Sequence, residues 1–115
     1  MDMFIEEQTH GNAIISAEGI TIYLKGEIDS VEPGEYLTPF FTSVIEQMND
    51  AVVCDLTELE FINSSGIKCI VSFILERDFE SKVTFKLDVS KSWQLKTMEV
   101  IQSLDEEKIE LLWDE

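Results

Sequence analysis

The stretch DLTELEFINSSGIKCI, Asp55–Ile70, constrains this chain more than any other. It reads as a buried strand, a short turn, and then Asn-Ser-Ser-Gly opening an apolar helix. Ser64 thereby falls where a strand hands over to a helix N-terminus. The first N–H groups of a helix have no partner within it, and the helix dipole is positive there, so an anion is well tolerated. A serine so placed can carry a phosphate with the fold intact, and the phosphate changes the surface charge sharply. The feature points to a switch rather than to a catalyst.

The rest of the composition narrows the partners. The 115 residues, 44% of them hydrophobic, suit a single domain over 1–115, with an N-terminal segment at 1–12 and an acidic end at 105–115. Only 8 Lys and Arg stand against 24 Asp and Glu, a net charge of -16. Nucleic acid and anionic membrane are therefore poor partners, and basic protein surfaces better ones. Acidity that merely keeps a small protein soluble remains the plain alternative. No apolar run is long enough to span a bilayer, and MDMFIEEQTHGN lacks the basic start of a secretory signal, which leads to an expected cytoplasmic location. Cys54 and Cys69 match no zinc or CxxC pattern, and as free thiols they fit a reducing compartment. The acids show no metal-ligand spacing, no phosphate-binding glycine loop is present, and no cofactor is expected. His10 is the one histidine, and at its terminal position it is expected to be simply solvated.

Along the chain, Ala13–Ala17 and Ile20–Lys25 read as strands around Glu18-Gly19, a hairpin signal. An acidic loop, Gly26–Gly34, follows. The spacing of Leu37, Phe40, Phe41, Val44 and Met48 predicts a helix over Glu35–Met48, with Pro39 in its first turn. Ala51–Leu56 is a continuous apolar run, expected to be a central strand covered on both faces. Ser65–Phe79 is expected as the next helix, with Ile67, Ile70, Val71 and Ile74 on the sheet. Cys69 and Phe73 then face outward as an apolar patch, to be covered either by a partner or by another element of the chain. Lys82–Asp88 alternates as a strand with Val83, Phe85 and Leu87 inward. Ser92–Leu104 reads as a helix capped by Ser92, and Ile109–Trp113 as a last strand. The expectation is an α/β domain with a mixed sheet of four to five strands and three or more helices.

Gly26–Asp29 (GEID) closing an early strand, then a helix, then strand–DLTELEFINSSG–helix resembles the STAS domain family, the anti-sigma factor antagonists. The likeness runs in element order from about Ala13 to Leu104, and its sharp part is Gly26–Asp29 with Asp55–Gly66. It implies that Ser64 is phosphorylated by an ATP-dependent serine protein kinase of the anti-sigma type and restored by a PP2C-type phosphatase. It implies too that the unphosphorylated form binds a downstream target protein, and that Asp29 helps to dock the kinase. The family pattern is Asp-Ser-Ser/Thr-Gly, whereas Asn63 stands in place of the Asp here. Asn-Ser-Ser-x-Ile-Lys is also similar to the switch segment of SiaC-type biofilm phosphoproteins, Asn-Thr-Ser-x-Ile-Lys. In that group the unphosphorylated form activates a diguanylate cyclase.

The residues divide into roles on this reading. Ser64 is the phosphoacceptor, Ser65 the helix cap, and Lys68, one turn on, a partner for the phosphate. Gly66 either admits a partner backbone or is merely small. Asn63, Ser65, Gly66, Lys68, Cys69 and Phe73 form the switch and partner surface, with Glu27 and Asp29 in an acidic docking rim that also holds Glu32 and Glu35. By local pattern alone, Ser64 and Ser65 would be ordinary capping residues and the acids a solvated loop. A serine hydrolase needs a base near its nucleophile and an elbow such as GxSxG. NSSG with only the distant His10 supplies neither, so no catalytic residue is assigned. A scaffold or ligand-binding module that does not cycle phosphate is the remaining class.

Overall fold

The computed structural model describes residues 2–78 and 80–114. The elements run β1 (Met3–His10), β2 (Ala13–Gly19), β3 (Thr21–Ile28), α1 (Gly34–Gln47), β4 (Ala51–Asp55), β5 (Leu59–Ile62), α2 (Ser64–Glu76), β6 (Lys82–Asp88), α3 (Ser92–Gln102) and β7 (Ile109–Asp114). All seven strands join one mixed sheet, ordered β1-β2-β3-β4-β6-β7, with β5 also on β3. β1, β2 and β3 pair antiparallel, and β3, β4, β6 and β7 pair parallel.

The mixed α/β architecture with three helices is as expected, but the strand count is higher. The N-terminal segment 1–12, to which no element was assigned, contains β1. Leu59–Ile62, expected as turn and helix approach, is β5. β4 and β5 share one partner: Thr21–Tyr23 of β3 pairs with Val53–Asp55, and Gly26–Ile28 pairs with residues from Leu59 to Ile62. The chain thus steps outward at Leu56–Glu58 and resumes pairing further along β3.

The parallel strands β3, β4, β6 and β7 are laid down in one direction. Right-handed crossovers therefore place α1, α2 and α3 on the same face of the sheet. Burial alternates accordingly: Ile22, Leu24 and Ile28, then Val52 and Cys54, then Val83, Phe85 and Leu87 are buried. Their alternates, Thr21, Tyr23, Val53, Thr84 and Lys86, are only half-buried. β4 is thus covered on one face and not on both. Leu37, Phe40, Phe41 and Val44 of α1 are buried as their spacing requires. Pro39 lies in the second turn of α1 because the helix starts at Gly34. Its missing N–H leaves the exposed Glu35 carbonyl to water. Ser92 opens α3 without capping it, since Lys91 holds the cap position with no side-chain bond.

α1 packs directly against α2. Phe41 and Phe73 stack with ring centroids 4.8 Å apart, and Phe73 is 1% exposed. The outward Phe73 patch is therefore covered by α1 of the same chain. α2 itself ends at Glu76. The expected extension to Phe79 ends on a residue outside those described. Asp105, in the acidic end, does more than solubilise: it pairs with the buried Arg77 at 3.0 Å.

The two outer strands differ. β1 carries the exposed Glu6 and Glu7 and loses register between Ile5 and Gln8. β7 pairs in unbroken register with β6 and exposes Leu112 and Trp113.

The step at Leu56–Glu58 needs its carbonyls satisfied, because buried backbone acceptors are costly to leave bare. Lys91 Nζ donates to Thr57 O and Gly26 N to Glu58 O, each at 3.0 Å, and the fully buried Gln94 of α3 holds the two flanks, its Nε2 donating to Leu56 O at 2.7 Å and Leu59 O at 2.9 Å. Its Oε1 accepts from Asp88 N at 2.9 Å. Gln94→Leu preserves bulk and removes all three bonds. We expect a loss of about 2–4 kcal/mol in urea unfolding, and an unchanged midpoint would show that the step is held elsewhere. Among the described residues no helix is long and apolar enough to cross a membrane.

Candidate switch site at the start of helix α2

Asn63 has extended backbone and caps α2. Its Oδ1 accepts from Gly66 N at 2.8 Å, and its carbonyl accepts from Ile67 N at 3.0 Å. Its Nδ2 donates to Ser30 O at 2.8 Å, and its own N–H donates to Ile28 O at 3.0 Å. One side chain therefore caps the helix and ties it to the loop after β3. An aspartate could accept from Gly66 but would turn a second carboxylate oxygen onto the Ser30 carbonyl. The geometry suits an amide.

Helix capping thus belongs to Asn63 and not to Ser65, the expected cap. Ser64 is the first helical residue rather than the last before the helix. Ser64 is exposed and Ser65 half-buried. With the Gly66 and Ile67 N–H groups engaged by Asn63, those of Ser64 and Ser65 have no acceptor within the helix. Lys68, exposed, follows Ser64 by one turn.

Gly66 is buried for a packing reason. A Cβ there would lie 2.7 Å from Ile62 Cγ1 and 2.9 Å from Ile28 Cγ2. The missing side chain lets the first turn of α2 sit down on the ends of β3 and β5. Gly66 therefore serves the chain's own packing. A comparable approach fixes Gly26, at φ 79°, where a Cβ would come within 2.2 Å of Asn12 O. Glu27 N donates to that same Asn12 carbonyl at 2.9 Å.

The acidic rim lies at the same end of the sheet. Glu27, Asp29, Glu32 and Glu35 are all exposed. Asp29 Oδ2 accepts from Asn12 Nδ2 at 3.2 Å and adjoins Ser30, which binds Asn63. Glu27 and Asp29 are thus brought to the switch turn. Phe73 is not, being buried further along α2. Cys69 is half-buried beside Thr38 and Gly34, its Sγ 3.7 Å from where a Gly34 Cβ would be. Burial pushes its thiol up, opposed by a hydrogen bond from Thr38. Burial, with Asp55 adding to it, pushes Cys54 up further. Neither is an activated nucleophile.

Asn12 and Ser30 were not legible as site residues. Gly11-Asn12, with Gly11 at φ 59°, carries a turn signal, but nothing local tells that this turn braces Asp29. His10 is not merely solvated: its ring stacks on Tyr36 at 4.5 Å. Among the described residues no group of three or more His, Cys, Asp or Glu is placed to hold a metal ion.

A crystal structure of an anti-sigma factor antagonist from Mycobacterium paratuberculosis superposes on this chain with a TM-score of 0.64, at 17% sequence identity, over 96% of this chain and 84% of that one. The fold is STAS-like. No family model matches the sequence, and no curated protein does. At that identity the likeness is one of architecture.

Two substitutions test the turn. Asn63→Asp keeps the cap and loses the donor to Ser30, for an expected cost of about 1–3 kcal/mol. Gly66→Ala forces Ile62 and Ile28 aside at about 1–3 kcal/mol. Chemical denaturation reads both, and a neutral result for either shows that the turn has slack at that residue.

Proposed function

We propose that this protein is a phosphorylation-switched regulatory binding protein of a partner-switching system, like an anti-sigma factor antagonist. Ser64 is its phosphoacceptor, and it is not an enzyme. The observation that carries this reading is the exposed Ser64 hydroxyl at the first position of α2, beside unused N–H groups, in a STAS-like fold. A serine protein kinase loads the phosphate and a PP2C-type phosphatase removes it. The unphosphorylated form binds the downstream target. One domain over 1–115, acting in the cytoplasm without nucleic acid or membrane, belongs to the same proposal.

The physical consequence is local. A phosphoserine adds about -1.5 to -2 charges and three strong acceptors. The N–H groups of Ser64 and Ser65 and the Lys68 ammonium offset part of that charge. Because Asn63 already fixes the turn, the backbone has little need to move. The change lies in the docking surface, where new negative charge repels a partner's acids and raises the cost of desolvation. Glu27 and Asp29 form the rim that meets a basic kinase surface.

Asn63 favours a second reading, in which the target is a diguanylate cyclase, as in the SiaC-type proteins whose switch segment also begins with Asn. A module that does not cycle phosphate is the third.

Intact-mass and phosphopeptide analysis of protein from its own cells decides among them. One phosphate on Ser64, lost on phosphatase treatment and absent in Ser64→Ala, is the expected result. No phosphate under any growth condition would leave the non-cycling module. In a reconstituted kinase assay, Asp29→Lys is expected to slow phosphorylation about tenfold with thermal stability retained. An unchanged rate would remove the acidic rim from kinase docking.

A further inference from the structure

α2 packs closely on α1 but stands apart from α3. The gap between α2 and α3 is a groove of ≈ 430 Å³. Ile67 and Val71 of α2 form one wall, and Thr97, Val100 and Ile101 of α3, with Leu104 just after it, the other. Val100 is 70% exposed and Leu104 48%. Both helices connect parallel neighbouring strands by the same crossover, so they run parallel to each other. The Arg77–Asp105 pair, with a sequence offset of 28, brings the far end of α2 beside the residues that follow α3. Within the groove, Ile67 and Val71 of α2 face residues 97–101 of α3, so Lys96 lies towards the end where both helices begin.

The groove therefore has a polarity. Lys96 lines it towards the end where α3 begins, and Lys68, exposed, follows Ile67 of the α2 wall in sequence. Lys25, Arg77, Lys91 and Lys108 are paired with carboxylates, while Lys68, Lys96 and, away from the groove at the start of β6, Lys82 are exposed and form no ion pair among the described residues. In a chain of net charge -16, two unpaired cations beside one apolar groove are a local exception. The far end carries Glu76, Asp78 and the acidic run from Asp105 to Glu107.

We infer that this groove docks an amphipathic helix of the target protein, apolar on one stripe, acidic in its first turns and basic towards its C-terminus. Apolar anchors at i, i+3, i+4 and i+7 match a groove bounded by two parallel helices. The partner's carboxylates meet Lys68 and Lys96, and its basic end meets the acidic run. That arrangement also suits the partner helix's own dipole. A second copy of this chain is a poorer occupant, because it brings the same net charge. The link to switching rests on the proposed role of Ser64. Phosphate there competes for Lys68 and repels the acidic first turns of the bound helix.

The test uses the full chain, labelled with 15N, and two synthetic amphipathic helices of about 18 residues with the same leucine stripe. One has glutamates in its first turns and lysines at its end, and the other has these reversed. The first is expected to shift amides of residues 67–71 and 96–104 and to bind at least about fivefold more tightly than the second. Val100→Asp, at an exposed position that does not support the core, is expected to weaken it about tenfold or more. Lys68→Ala with Lys96→Ala is expected to remove the preference for the first helix. Shifts elsewhere, equal affinity for both helices, or binding of dodecanoate in place of either would overturn the inference. Ser64→Glu is expected to weaken the first helix about threefold. Unchanged affinity, with the dependence on Val100 retained, would overturn the link to Ser64 and leave the groove as a docking site. Absence of phosphate on Ser64 in cells bears on the switch and not on the helix titration, so the two readings fail separately.

Discussion

The amide of Asn63 is the joint on which the switch end of this molecule turns. It accepts from the first turn of α2 and donates to the loop after β3. Ser64, Asp29 and the start of α2 consequently keep their relative places through one side chain. Each bond alone is worth about 1 kcal/mol. Their joint effect is larger in kind, because they connect elements far apart in sequence, and Gly66 lets those elements touch. A turn fixed this firmly changes its charge more easily than its shape. That is what a modification read by a partner surface requires.

Much of the fold was legible because the central elements obey simple periods. α1, β4, β6 and α3 were placed within about two residues, the usual uncertainty of helix and strand ends. β1 was hidden because FIEEQ shows no alternation: an outer strand with only Met3 fully buried leaves no pattern to detect. β5 was hidden by its shortness, and only its shared pairing with β3 makes it a strand. Of the two covers open for Phe73, a partner or another element of the chain, the structure supplies the second, α1, and local pattern left the choice open for a geometric reason. A helix between a sheet and a neighbouring helix buries two faces, and a helical wheel shows the second face without showing what packs on it.

The candidate site divides along the same line. Ser64, Gly66, Lys68, Glu27 and Asp29 were found from the local pattern together with the family resemblance, and the fold brings them to one end of the sheet. What binds them is non-local. Asn63 reaches Ser30, and Asn12 reaches Asp29, across separations that no local window covers. The cap passed from Ser65 to Asn63 because Asn63 holds the extended position before the helix, and its amide carries separate acceptor and donor atoms that reach Gly66 N and Ser30 O together.

The unequal edges of the sheet have a consequence for self-assembly. β1 is unsuited to receive another strand, because Glu6, Glu7 and a break in register disrupt its outer row of peptide groups. β7 is regular and offers Leu112 and Trp113 beside its free edge. A sheet with one receptive border can be extended once, border to border, by another copy. The resulting pair presents only guarded edges. Along the sheet direction the molecule therefore has one regular border and one broken by charge and register.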